Sequence, residues 1–296
     1  MPELPEIELY LFALEPRILG RTLDEVRIRS ASLLRTWDPP VSAAAGRKVL
    51  GLRRIGKRIV IELEDELFLV FHLMISGRFR WKSRGAAIPR KGAHAALDFP
   101  DGTLLLTEAS THKRASLHVV QGEERLRALD PGGIEPLDAS LEEFRAALTR
   151  ENHTLKRALT DPRLVSGIGN AHSDEILLEA RLSPLKRTAQ LGDAEVERLY
   201  EATRGSLTEW VRRLREEAAG RFPGKVTAFH PGMKAHGRFG APCPSCGTPI
   251  QRIVHGEHET NYCPACQTEG RLLKDRALSR LLGEDWPRTV EEMEGR

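Results

Sequence analysis

The 296-residue chain has only four cysteines, no apolar run near the roughly 20 residues that span a bilayer, and no internal repeat or low-complexity segment. These absences leave no membrane-spanning helix and no solenoid to consider. Nor is there an excess of one charge, since 45 Lys and Arg against 42 Asp and Glu give a formal net charge of +3. A uniformly basic surface is excluded, so a nucleic-acid-binding face would have to come from local clusters. Doublets stand at Arg53-Arg54, Lys57-Arg58, Lys113-Arg114 and Lys156-Arg157, although a doublet is ordinarily a solvated strand or helix face. With 40% hydrophobic and 29% charged residues, the composition is that of an ordinary globular protein long enough for two modest domains.

The few cysteines are concentrated. Cys243-Pro244-Ser245-Cys246 is followed after sixteen residues by Cys263-Pro264-Ala265-Cys266. Two Cys-x-x-Cys pairs at that separation fit a tetrahedral thiolate zinc site, giving an expectation of one structural zinc per chain. No cysteine remains for a catalytic metal or a nucleophile. Two disulfides are the alternative, disfavoured by the tight spacing and by a start that reads as having no secretory leader.

The other distinctive stretch is the start, Met1-Pro2-Glu3-Leu4-Pro5-Glu6. A proline nitrogen is tertiary inside a chain and becomes a free secondary amine only at a terminus. If Met1 is removed, Pro2 offers a nucleophile able to form an iminium, as catalytic lysines form Schiff bases. Glu3 lies beside it. Glu6 is one helical turn further on, where it shares a face with Glu3 and can position water or the amine; the helix dipole is an equally good reason for a glutamate there. Taken alone, the hexapeptide reads as a stiffened chain end.

Periodicity predicts a helix over residues 5 to 19, with Ile7, Leu11, Leu14 and Ile18 at helical spacing and Gly20 as the stop. Strands follow at Val49 to Leu52, Arg58 to Leu63, Leu67 to Ile75, Ala95 to Phe99 and Thr103 to Leu106, the last two joined by a Pro100-Asp101-Gly102 turn. Around Asp130 to Pro136 the texture changes to a linker, and helices take over at Leu141 to Leu148, Thr154 to Thr160 and Asn170 to Arg181. A longer fourth helix carries the stripe Val196, Leu199, Thr203, Leu207, Trp210 and Leu214. Between the second and third lies a glycine-rich segment, Asp161 to Gly169. The expected class is α+β and multidomain, an N-terminal helix plus β-sandwich followed by a helical domain and a four-cysteine zinc finger.

The two ends together resemble the formamidopyrimidine-DNA glycosylase and endonuclease VIII family of bacterial repair enzymes. The resemblance runs along nearly the whole chain through Arg54-Ile55-Gly56-Lys57-Arg58, His72-Leu73-Met74-Ile75-Ser76-Gly77, Gly167-Ile168-Gly169-Asn170 and the finger ending Cys266-Gln267. It implies a bifunctional DNA glycosylase and AP lyase acting on double-stranded DNA with oxidised bases or abasic sites, in the cytoplasm with the nucleoid and as a monomer. The implied domains are 1–130 (catalytic sandwich), 131–150 (linker and first helix), 151–236 (helix-two-turn-helix), 237–270 (zinc finger) and 271–296 (tail). The implied catalytic set is Pro2 as nucleophile, Glu3 as proton donor, Glu6, and Lys57 reaching the lesion phosphate and base. Lys156 and Asn170 correspond to residues that grip phosphates on either side of the lesion.

Three departures bear on substrate choice. Family members fill the space left by an extruded base with methionine, arginine and phenylalanine. Here the methionine position falls on Ile75, with Met74 one residue early. Lys113-Arg114-Ala115-Ser116 stands where Arg-Arg-Phe-Gly is usual, so Arg114 stays and the aromatic is lost. His258 stands for the finger's phosphate-clamping arginine, a weaker and pH-dependent cation. The alternatives are therefore a lyase confined to abasic sites and a non-catalytic DNA-binding module. Residues 220 to 229, where a purine-specific loop would lie, match only loosely, and Leu272 to Leu282 in the tail reads as a short helix.

Overall fold

The computed structural model describes residues 1–256, 258–275, 279, 281–283, 287–293 and 295, without the side chains of His255 and His258. It divides into two compact units. The first comprises Met1–Pro131 with Trp210–Thr227, the second Gly132–Glu209 with Ala228–Arg296. Residues 210–227 thus belong with the sandwich, although chain order assigns them to the helical domain.

In the first unit, helix α1 (Leu4–Ile18) precedes two four-stranded antiparallel sheets. One has the order β1 (Glu25–Ile28), β6 (Ala93–Phe99), β7 (Gly102–Glu108), β5 (Gly77–Lys82). The other runs β2 (Val49–Ile55), β3 (Arg58–Leu63), β4 (Leu67–His72), β8 (Ser116–Gln121). Near-continuous apolar sequence in β4 and β7 agrees with their burial on both faces. Phe71 of β4 meets Phe79 of β5 edge-on at 5.1 Å between centroids, and Tyr10 of α1 meets Phe79 at 5.6 Å, so three fully buried rings join helix and both sheets. The Phe79 N–H donates to the Tyr10 hydroxyl at 3.2 Å.

The expected strand through Ile75 stops at His72. Leu73 to Ser76 form a turn, Met74 taking a positive φ of 53°. A Cβ on Gly77 would stand 2.2 Å from the Leu73 carbonyl oxygen, so the turn closes only with glycine there. Met74 is therefore not on the opposite face of a strand from Ile75; it occupies the bend that presents Ile75.

The second unit holds α3 (Leu141–Thr149), α4 (Leu155–Thr160), α5 (Asn170–Glu179) and most of α6 (Asp193–Ala218), together with the hairpin β9 (Gln251–His255) and β10 (His258–Tyr262) and the short α7 (Pro264–Thr268). Ser140 and Thr154 cap α3 and α4 through their side chains. All six stripe residues of α6 are buried. Gly133 and Ile134, expected in a linker, hydrogen-bond back to Pro162 and Leu164, closing the glycine-rich turn against the helices. Leu272–Asp275 are not helical, and much of the predicted tail helix lies outside the described residues. Among the described residues no helix is long and apolar enough to cross a membrane.

Candidate functional site

The chain start is buried rather than frayed. Pro2, Glu3 and Glu6 are all buried, the two carboxylates at 3% and 1% exposure. Pro5 sits in the first turn of α1, where an N–H would have no helical acceptor, so its missing donor costs nothing. The Glu3 N–H donates to Glu6 Oε2 at 2.8 Å and the Ile7 N–H to the Glu3 carbonyl at 2.9 Å. Glu6 therefore serves as the clamp of the first turn, a place where the helix dipole also favours a carboxylate.

Lys57 comes from the two-residue turn between β2 and β3, where Gly56 has φ 58° and Ile55 pairs with Arg58. Burial pushes its ammonium below the ordinary lysine value, opposed by Glu3 and Glu6. The terminal amine behaves alike: burial lowers it most, Glu3 and Glu6 raise it, and Arg78 and Lys57 lower it further. These mutual effects place amine, two carboxylates and two cations around one point of the first unit. With Met1 removed, the amine moves one residue inward to Pro2. His72, paired across from Arg58, is held down to about 4, by burial first and then by Arg58 and Lys57. It is a neutral imidazole at physiological pH and adds no charge beside Arg58 and Lys57.

Sequence reasoning missed Glu108. This buried residue ends β7, and its carboxylate accepts from the N–H groups of Arg114 at 3.0 Å and Ala115 at 3.3 Å, lies 2.9 Å from His94 Nε2, and has the Ser76 hydroxyl at 3.4 Å. Lys113 Nζ bonds the Glu108 carbonyl. One carboxylate thus ties together the turn that carries Ile75 and the segment that carries Arg114. Ile75 is 56% exposed and Arg114 is exposed, while Ala115 is 2% exposed and turned inward. Arg78 Nη1 adds bonds to the carbonyls of Ile75 at 3.1 Å and Gly77 at 2.6 Å. The only sequence sign of Glu108 is a charge closing an apolar strand.

In the second unit, Lys156 Nζ bonds the Asn170 carbonyl at 2.7 Å and the fully buried Asp174 carboxylate. Asp174 Oδ2 also takes His236 Nδ1 at 2.7 Å and the Asn261 N–H at 3.1 Å. Glu175 accepts the N–H groups of Lys234, Ala235 and His236 at 2.8 to 3.0 Å. Asn170 is not the N-cap of α5, a position taken by Gly169; its Nδ2 donates to the Glu259 carbonyl of β10 at 2.8 Å. Lys156 and Asn170 thus lie together, joined to the finger hairpin.

The four cysteine sulfurs lie within 4.8 Å of one another, with Cys246–Cys263 and Cys246–Cys266 separations of 3.5 Å and Cys243–Cys266 of 4.0 Å. Thiolates about 2.3 Å from one tetrahedral zinc stand about 3.8 Å apart, so these residues fit a metal and not disulfides. Gly256 has a positive φ of 60°, and His258, paired with His255, begins β10; its side chain lies outside the described residues. Arg252 of the hairpin stacks 4.3 Å from the Phe239 centroid and pairs with Glu259 at 3.3 Å.

Three family models match in order: the formamidopyrimidine-DNA glycosylase N-terminal domain over residues 1–127, its H2TH domain over 133–218, and a zinc finger found in these enzymes and in isoleucyl-tRNA synthetase over 240–268. The chain belongs to the formamidopyrimidine-DNA glycosylase family. Membership makes it a DNA glycosylase. Relatives include the formamidopyrimidine-DNA glycosylases of Thermus thermophilus, 35% identical, and Listeria innocua, 30% identical, each matched over its full length by 91% and 90% of this chain. Among solved structures, the Thermus thermophilus enzyme aligns at TM-score 0.76 with 35% identity over 90% of this chain and 98% of its own. The Lactococcus lactis enzyme bound to DNA with an AP site aligns at TM-score 0.78 with 26% identity over 90% of this chain and 99% of its own.

Replacing Glu108 leaves buried N–H donors without an acceptor, which costs about 1–3 kcal/mol each. Glu108→Ala is expected to destabilise the first unit by ~2–4 kcal/mol in urea unfolding, and Glu108→Gln, which keeps one acceptor oxygen, by about half as much. Equal stability of Glu108→Ala and wild type would remove Glu108 from this role.

Proposed function

We propose that the protein is a bifunctional base-excision enzyme that removes oxidised bases and then nicks the strand, using the Pro2 amine once Met1 is lost. The observation that carries this reading is the convergence of the terminal amine, Glu3, Glu6, Lys57 and Arg78 at a buried chain start. A secondary amine attacking the sugar C1′ displaces the base and leaves an iminium; loss of a proton from C2′ then expels the 3′ phosphate. Glu3 supplies the proton that opens the sugar ring, Glu6 holds the turn that aims the amine, and Lys57 meets the phosphate or the base. Burial, with Arg78 and Lys57, lowers the proton affinity of the Met1 amine at this chain start, and the same surroundings favour the uncharged, nucleophilic form of a Pro2 amine.

Lys156 and Asn170 serve the phosphate backbone, Ile75 and Arg114 enter the space left by the extruded base, and His258 stands on the hairpin as a phosphate contact. The metal is zinc and structural, because four thiolates leave no open coordination position. The enzyme acts as a monomer on damaged duplex DNA, in the cytoplasm with the nucleoid. A second reading, action confined to abasic sites, draws on the inward Ala115, which leaves no aromatic wedge.

Borohydride is expected to trap a covalent complex with an abasic-site duplex, and an N-terminal extension that blocks the amine is expected to abolish it; trapping unchanged by the extension would remove Pro2. A lesion-bearing duplex scored separately for base release and nicking distinguishes the two readings. Because the same surroundings act on the Pro2 amine, trapping should rise with pH through a midpoint below that of the same amine in a solvated peptide. Arg78→Met removes a lowering cation and should move that midpoint up by roughly half to one pH unit, whereas Glu6→Gln removes a raising anion and should move it down. Identical profiles would mean that neither charge reaches the amine.

Elemental analysis should give one zinc per chain. Cys263→Ser should lose both the metal and DNA affinity while the sandwich keeps its own unfolding transition, because metal binding here is folding free energy for the finger. Stoichiometric zinc in that variant would contradict the ligand set.

A further inference from the structure

The family models end at residue 268, and the relatives named above are matched over their whole length by about nine-tenths of this chain, so the segment after the finger lies beyond the family models. It packs back onto the hairpin. The Val254 N–H, on the edge of β9 away from β10, donates to Asp275 Oδ2 at 2.6 Å, and Asp275 is 2% exposed. The Leu273 N–H donates to the hydroxyl of Tyr262 at 2.8 Å, a residue 1% exposed at the end of β10 and next to Cys263. The segment is closed on itself. The Leu272 N–H bonds the Arg288 carbonyl at 2.8 Å, the Val290 N–H bonds the Gly270 carbonyl at 3.1 Å, and Arg271 bridges Thr289. Thr268 Oγ1 donates to the Arg271 carbonyl at 2.6 Å, fixing the exit from α7.

A hairpin of two strands is marginally stable by itself, and its outer edge presents unpaired N–H groups. A buried carboxylate on such an N–H is a charge-assisted bond, stronger than the neutral bonds of the ladder. We propose that residues 270–275 and 287–290 form a strap that holds the β9–β10 hairpin, with Asp275 as the positioning residue that pins Val254. The strap fixes the angle at which the hairpin, joined to α5 through Asn170 and Asp174, meets DNA. This last step rests on the reading of the finger as a DNA contact; the strap itself does not.

The test uses the full-length zinc-loaded protein, Asp275→Ala, Asp275→Asn, and a chain ending at Gly270. Amide exchange is followed in peptides containing Val254, zinc transfer to a chromogenic chelator is timed, and equilibrium binding is measured to a duplex with a tetrahydrofuran abasic analogue. In Asp275→Ala and the shortened chain, exchange at Val254 and zinc transfer should each quicken about tenfold, and DNA affinity should fall by a similar factor. The rate of trapping at saturating DNA should stay unchanged. Asp275→Asn, which keeps an acceptor oxygen, should fall between, and this guards against a shortened chain that does not fold. Exchange and zinc transfer equal to wild type in Asp275→Ala would overturn the strap. Faster exchange with undiminished DNA affinity would uphold the strap and overturn the hairpin's part in DNA contact.

Discussion

The chemistry of the first unit depends on one hydrogen bond, from the Glu3 N–H to the Glu6 carboxylate. Chain ends are ordinarily solvated and mobile, and a nucleophile at such an end would have neither a fixed direction nor a tuned pKa. Here the bond starts a helix at the fourth residue, and burial of Leu4, Ile7, Tyr10 and Leu14 holds that helix to both sheets. The terminus is thereby drawn among Glu3, Glu6, Lys57 and Arg78, whose opposed charges adjust a proton affinity that burial lowers most. On the proposed reading, desolvation that would be a penalty elsewhere favours the nucleophilic form of the amine.

A second pattern recurs. Glu108 and Glu175 are buried acids whose carboxylates accept backbone N–H groups of irregular segments, and the buried Asp174 accepts one from β10. Loops have no ladder to satisfy their donors, and a buried carboxylate with several acceptor sites can order one with a few charge-assisted bonds. Glu108 does so for the Ile75 and Arg114 segments, Glu175 for the segment before the finger, and Asp174 for the junction of α4, α5 and β10. Asp275, outside the family models, reverses the arrangement, an acid of an irregular segment accepting the N–H of a strand residue.

Much of this was legible in the sequence wherever a local rule operates. The helix boundaries follow from periodicity and from caps at Ser140 and Thr154, and the metal ligands from spacing alone. Pro2, Glu3 and Lys57 stand out because short motifs hold them. The end of β4 was misread because Leu73 to Ile75 is apolar and continues the strand pattern. The chain turns there through the positive φ of Met74 and the close approach of Gly77 to Leu73, neither of which leaves a compositional mark. Glu108 and Asp174 were missed for a related reason. Their significance lies in partners 6 to 87 positions away, and a single acid in an apolar strand or helix says nothing of which distant N–H it will meet. The return of residues 210–227 to the first unit is likewise a tertiary fact that chain order hides.

Two amines with lowered proton affinity face the same point, the chain terminus and Lys57, and either is chemically able to form an iminium. We assign the bond to Pro2 because the carboxylates that would shuttle its protons, Glu3 and Glu6, sit on the same turn. The most direct test is to reduce the complex with an abasic-site oligonucleotide, digest the protein and locate the sugar-bearing residue by tandem mass spectrometry. The prediction is a peptide beginning at Pro2 with the adduct on its nitrogen and an unmodified Lys57. An adduct on Lys57 with an unmodified N-terminal peptide would contradict the central claim.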